Sequence, residues 1–94
     1  MVISMDAFAL PAILDITKAK ELRGHMVERL NCGAVLVDAS AVDRVSTPCI
    51  QVLLAAARSA DCAGTSFRIA NASEPLRAAL ADLGLQAEFE NWMV

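Results

Sequence analysis

The chain is poor in aromatic residues and in positive charge. It contains three Phe, one Trp and no Tyr, too few rings for a platform on which nucleobases stack. Lys and Arg number 8 against 11 Asp and Glu, a formal net charge of −3. That balance argues against nucleic acid and anionic membrane as main partners. A single histidine, His25, lies among charged residues, and the three cysteines, Cys32, Cys49 and Cys62, show no C-x-x-C spacing. The pattern predicts no metal site and treats the cysteines as small apolar residues in a reducing cytoplasm. The four glycines, Gly24, Gly33, Gly64 and Gly84, are dispersed, so no glycine-rich phosphate loop is present. No nucleophile is paired with a base by any recognisable spacing, which predicts a protein that is not an enzyme and needs no cofactor. No segment holds about 18 uninterrupted apolar residues and no basic stretch precedes the apolar start. The chain is therefore expected to be cytoplasmic, without membrane insertion.

What is present is apolar and rich in alanine. The 94 residues are 56% hydrophobic, with a mean hydropathy of +0.49. A chain of this length supports one core, so residues 1–94 are expected to form a single domain.

One stretch organises the rest. From Ala34 to Ala63 the chain reads A-V-L-V-D-A-S-A-V-D-R-V-S-T-P-C-I-Q-V-L-L-A-A-A-R-S-A-D-C-A. The run Ala34–Val37 predicts a short strand buried on both faces. Asp38 to Arg44 is a connection. Pro48 has no N–H and a fixed φ that suits the first helical position, which makes Thr47 the expected N-cap of a long, almost wholly apolar helix. That helix is enclosed or presents an interface, and Gly64 ends it.

Around this centre, Met1 to Pro11 predicts a first strand and Ala12 to Ile16 a second short one. Asp15 reads as a turn or cap residue. A helix is expected from Thr17, its N-cap, to Leu30, with Ala19, Leu22, Met26 and Leu30 on one face and charges elsewhere. Asn31-Cys32-Gly33 stops it. Ser66 to Ala70 predicts another strand, and Ser73 caps a helix from Glu74 to Leu83 with Leu76, Leu80 and Leu83 inward. Leu85, Ala87 and Phe89 alternate with Gln86, Glu88 and Glu90, which predicts a last edge strand, with the only Trp covering a core edge. The order is β-(β)-α-β-α-β-α-(β), an α/β fold with parallel pairs and right-handed crossovers.

This order, with its V-L-V-D-A-S-A-V-x-x-V-S-T-P-C-I-Q-V-L-L centre, resembles the STAS domain, the fold of bacterial anti-sigma-factor antagonists and their relatives. Asp38 ends the strand, Val42 and Val45 take the apolar loop positions, and Ile50, Val52, Leu53 and Leu54 follow. F-R-I-A-N-A-S-E-P-L-R-A-A-L-A-D-L-G-L is similar to the family's later strand, loop and helix. The resemblance runs from about Ala12 to Phe89. It implies a mixed, mostly parallel sheet of four to five strands, with about three helices mainly on one face.

The resemblance also implies a binding module in signal transduction. In the antagonists a Ser or Thr at the position of Thr47 is phosphorylated by a partner kinase that is itself the anti-sigma factor. Ser46 stands where the family usually has Asp, and Pro48 and Cys49 stand where small residues, often Gly, are usual. Ser46 is the neighbouring alternative acceptor. Asp15 falls where the family often has an acid on its kinase-facing surface. The partner-binding surface expected on this basis comprises Asp15, Asp38, Asp43, Arg44, Ser46, Thr47, Pro48, Cys49 and Gln51. Relatives of the MlaB type, accessory subunits that contact the ATPase of lipid-transporting ABC complexes, are similar, as are STAS adaptors of chemotaxis systems. A homodimer is compatible with the alanine-rich helices and a spare edge strand. From spacing alone Thr47 is an N-cap, worth about 1 kcal/mol.

Overall fold

Strand-forming residues occur here in pieces of two to four. A computed structural model of the protein describes residues 7–31 and 33–93. β1 (Phe8–Ala9), β3 (Val35–Asp38) and β5 (Phe67–Ala70) form a three-stranded sheet in the order β1-β3-β5. β2 (Ile13–Leu14) and β4 (Arg44–Val45) form a separate pair. Every one of these pairings is parallel, as expected for strands joined through helices. The expected mixed sheet is thus two parallel sheets among the described residues. The predicted strand from Met1 reduces to Phe8–Ala9 there, and residues 1–6 lie outside the description.

β3 is the spine. Val35 pairs with Phe67, and Val37 sits between Phe8 and Ile69. Val35, Val37, Phe67 and Ile69 are all buried. The opposite face carries Leu36 in register with Arg68, the first half-buried and the second exposed. β3 is therefore packed on one face, not on both as its apolar run suggested. An apolar run cannot report what its neighbours bring, and Arg68 brings a charge to that face.

A 3-10 turn (Ile16–Lys18) leads into α1 (Ala19–Asn31). The cap is Asp15, not Thr17. Asp15 Oδ1 accepts from the Thr17 amide at 3.1 Å and from the Thr17 hydroxyl at 2.5 Å. The carboxylate takes the Thr17 amide, an orphan N–H at the start of the turn, and the Thr17 hydroxyl acts as a donor to it. Leu22 and Met26 are buried on the inner face of α1, with Ala19 and Leu30 packed at its edges. α2 (Thr47–Ala63) buries Cys49, Ile50, Leu53, Ala56, Ala57 and Ala60, a helical stripe on one side only. It ends at Gly64, whose φ of 75° is a left-handed conformation that glycine adopts without a Cβ penalty.

α3 (Glu74–Asp82) starts at Ser73, whose hydroxyl accepts from the Leu76 amide and donates to the Val42 carbonyl at 2.6 Å. This one side chain caps α3 and ties it to the loop before β4. Leu76 and Leu80 are buried, whereas Leu83 is 41% exposed because it lies past the last full turn. The expected strand at Leu85–Glu90 is instead α4 (Gln86–Glu90). Alternation would turn Ala87 inward, but Ala87 is exposed, while Phe89 and Trp92 are buried. Leu85, Phe89 and Trp92 recur at helical spacing, and the Trp92 ring meets Phe89 and Phe67 edge-on at 5.4 and 6.4 Å. The sheet edge goes to the following residues: Ile69 N–H donates to the Trp92 carbonyl, and Met93 bridges Ile69. Trp92 thus covers a core edge, as its apolar bulk suggested. No helix among the described residues is long and apolar enough to cross a membrane.

Candidate functional site

The short β2–β4 pair assembles the site. Ile13 is in register with Arg44 and Leu14 with Val45. The Asp43 and Arg44 amides both donate to the Ala12 carbonyl, at 2.8 and 3.0 Å, and the Ser46 amide donates to the Leu14 carbonyl at 2.8 Å. Because the strands are parallel, both chain segments leave the pair at the same end. The segment from Asp15 and the segment from Ser46 therefore begin their helices side by side. The Cys49 thiol closes the join by donating to the Asp15 carbonyl at 3.3 Å.

The start of α2 is one residue earlier than expected. Ser46 is the N-cap: its backbone is extended (φ −87°, ψ 157°), and its carbonyl accepts from the Ile50 amide at 3.1 Å. Thr47 and Pro48 are the first and second helical residues. An N-cap side chain ordinarily accepts from the second or third helical N–H. Pro48 removes the former, and the Ser46 hydroxyl makes no cap bond. Its Oγ is buried without a hydrogen-bond partner among the described residues. Thr47, by contrast, is exposed. Of the two adjacent hydroxyl residues, the second is the accessible one.

Two acids flank the region in different ways. Asp15 is exposed, and its carboxyl is held below the usual carboxylate range, chiefly by the Thr17 hydroxyl, with the Thr17 amide and the Lys18 charge adding to it. Asp38 is likewise lowered, first by the Ser40 amide and then by the Ser40 and Asn71 side chains. Asp38 Oδ1 accepts from the Ser40 amide at 3.0 Å, and Asn71 turns away at a φ of 56°. Asp38 thus organises the loops after β3 and β5. No group of His, Cys, Asp and Glu among the described residues could hold a metal ion.

The family model described as Mlab, STAS domain matches residues 6–94. The chain belongs to this STAS family. No curated protein and no solved structure matches it. STAS domains are in general non-catalytic modules that mediate protein–protein interaction, and the α/β architecture of parallel strands with helices is that of the family.

In this STAS domain Asp15, Ser46, Thr47, Pro48 and Cys49 come together, with Gln51 exposed one turn further along α2. Cys49 is fully buried and supports the corner from beneath. Asp43 and Arg44 are exposed beside Ala12 and Ile13. Asp38 is instead engaged with Ser40 and Asn71. Two residues escaped the sequence reading: Ile16, 68% exposed, and Ile13, 41% exposed. They stand on either side of Asp15 in the chain. The signal was in the alternation, since Leu14 is buried and its neighbour Ile13 must then point outward.

Proposed function

We propose that this STAS domain is a regulatory binding module that docks a protein partner over Ile13, Asp15, Ile16, Thr47 and Pro48, with Thr47 as its switch. The observation that carries this reading is an exposed threonine at the first position of α2 while the neighbouring Ser46 hydroxyl is buried, with Ile13 and Ile16 exposed in the segment whose strand pairs with the one before α2. Isoleucines at this exposure lose water when a partner covers them. A phosphate on Thr47 adds about −1.5 to −2 charges. An apolar partner surface would then have to desolvate that charge, which is costly when it is unpaired. The Asp15 carboxylate on the same end adds repulsion of like sign. The partner of this reading is a switch kinase or anti-sigma factor, and release needs no large conformational change.

A second reading is favoured by the Mlab description of the matching family: the same surface makes a constitutive contact with an ABC-transporter ATPase subunit, and Thr47 acts by shape alone. A chemotaxis partner would use the surface in the same way. The test is capture of partners from the cell of origin with Thr47→Ala and Thr47→Glu. The switch predicts that Thr47→Ala keeps the partner and Thr47→Glu loses it. Equal capture by both variants and the wild type removes the switch, and an ATPase in that captured set supports the second reading.

A further inference from the structure

A trough of about 660 Å³ runs between α1 and α2. On α2 it is lined by Pro48, Val52, Ala55 and Ser59, and on α1 by Ala19, Arg23, Val27 and Leu30. Each set recurs at helical spacing over 12 residues, so each wall is straight for three turns, about 16 Å. Val27 is 49% exposed on this wall. Both helices leave the same end of the β2–β4 pair, so Lys20 and Arg23 stand at the Pro48 end. Among the described residues these are the charged side chains that line the trough. In a chain with three more acids than bases, the trough is thus locally cationic. Arg58 pairs with Glu88, and no ion pair among the described residues engages Lys20 or Arg23.

We infer that this trough seats an amphipathic helix of a protein partner, about three turns long, with Asp or Glu side chains set against Lys20 and Arg23. An extended peptide would need a free main-chain edge for its own N–H and C=O groups, whereas both walls here are helix side chains. A helix satisfies its backbone internally and offers only its apolar stripe. Small residues on α2, Ala55 and Ser59, let it approach closely. A second copy fits poorly: two concave faces leave a void between them, and the two-fold axis would oppose four cations. The inference deepens the docking reading and rests on it, because Pro48 belongs to both surfaces.

The test places a photo-cross-linking benzoylphenylalanine at Val27 in the trough, or at Ile16 in the docking surface, of the intact protein in its own cells. Both positions should capture the same protein. The peptide linked through Val27 should be an amphipathic helical segment bearing Asp or Glu. Lys20→Glu with Arg23→Glu should lower the Val27 cross-link at least about tenfold, since opposed like charges disfavour the complex, while Lys20→Arg leaves it intact. If Ile16 captures a partner and Val27 captures none, the trough is unoccupied and the inference fails while the docking reading stands. A second copy, a lipid or a non-acidic segment at Val27 also overturns it. An acidic helix at Val27 with nothing at Ile16 keeps the trough and removes the docking surface, and no capture at either position overturns both.

Discussion

Removing the Ser46 hydroxyl should not destabilise this protein. At an ordinary N-cap, Ser→Ala costs about 1 kcal/mol, because the side chain satisfies an orphan amide. Here the Ser46 side chain makes no cap bond, and its Oγ is buried without a partner among the described residues. A hydroxyl in that state carries a desolvation penalty of roughly 1–3 kcal/mol. Ser46→Ala removes the penalty and leaves the backbone cap intact, since the Ser46 carbonyl still accepts from Ile50. The expected change lies between zero and a stabilisation of about 1 kcal/mol. Urea unfolding followed by circular dichroism reads this as an unchanged or raised midpoint at constant slope. In a domain of this size 1 kcal/mol also moves Tm by roughly 4–8 °C. Pro48 removes one of the two amides that an N-cap side chain can use, so a double-mutant cycle extends the test. Pro48→Ala restores the second helical N–H as a donor for the Ser46 hydroxyl. In that background Ser46→Ala should cost the usual amount of about 1 kcal/mol. A loss of that size in the wild-type background would show that the Ser46 hydroxyl caps α2 after all, and no coupling between the two positions would show that Pro48 does not govern that cap.

Other outcomes follow from the same geometry. Asp15 and Asp38 have lowered folded pKa values, so each contributes stability that is fully present above the ordinary carboxylate value of about 3.9 and lost as pH falls through the folded value. Asp38→Asn should therefore destabilise at neutral pH and converge with the wild type under acid, as read by pH-dependent urea melts. Ala87→Glu should change stability by less than about 0.5 kcal/mol because Ala87 is exposed on α4. Phe89→Ala should cost about 3–5 kcal/mol from the same helix. If α4 were a strand with Ala87 inward, Ala87→Glu would be the damaging change of the pair. Ile16→Glu should leave the melting curve unchanged and abolish partner capture, and retained capture would exclude Ile16 from the docking surface.

Much of the fold was legible because its signals are local. The β-branched run of β3, the Pro48 start and Gly64 stop of α2, and Ser73 followed by Glu74 and Pro75 at α3 each act within one turn or one strand. They place elements wherever the chain goes. Alternation predicts a strand where Gln86–Glu90 forms a helix, because five residues satisfy a period of two and a period of 3.6 about equally well. The edge-on contacts of Trp92 with Phe89 and Phe67 decided between them.

The candidate site divides in the same way. The sequence alone determined that two hydroxyls stand before a long apolar helix, and that an acid stands before the first one. Only the tertiary structure decided that the two regions meet. β2 and β4 are two residues each, too short for any periodicity, and they exist because they pair with one another. That pairing brings Asp15 to Ser46 and leaves Ile13 and Ile16 in the open. It also decided which hydroxyl is accessible. Ser46 and Thr47 are equivalent as letters before a proline. The Leu14 carbonyl holds the Ser46 amide and draws that residue into the corner, so the Ser46 oxygen is buried and Thr47 faces solvent.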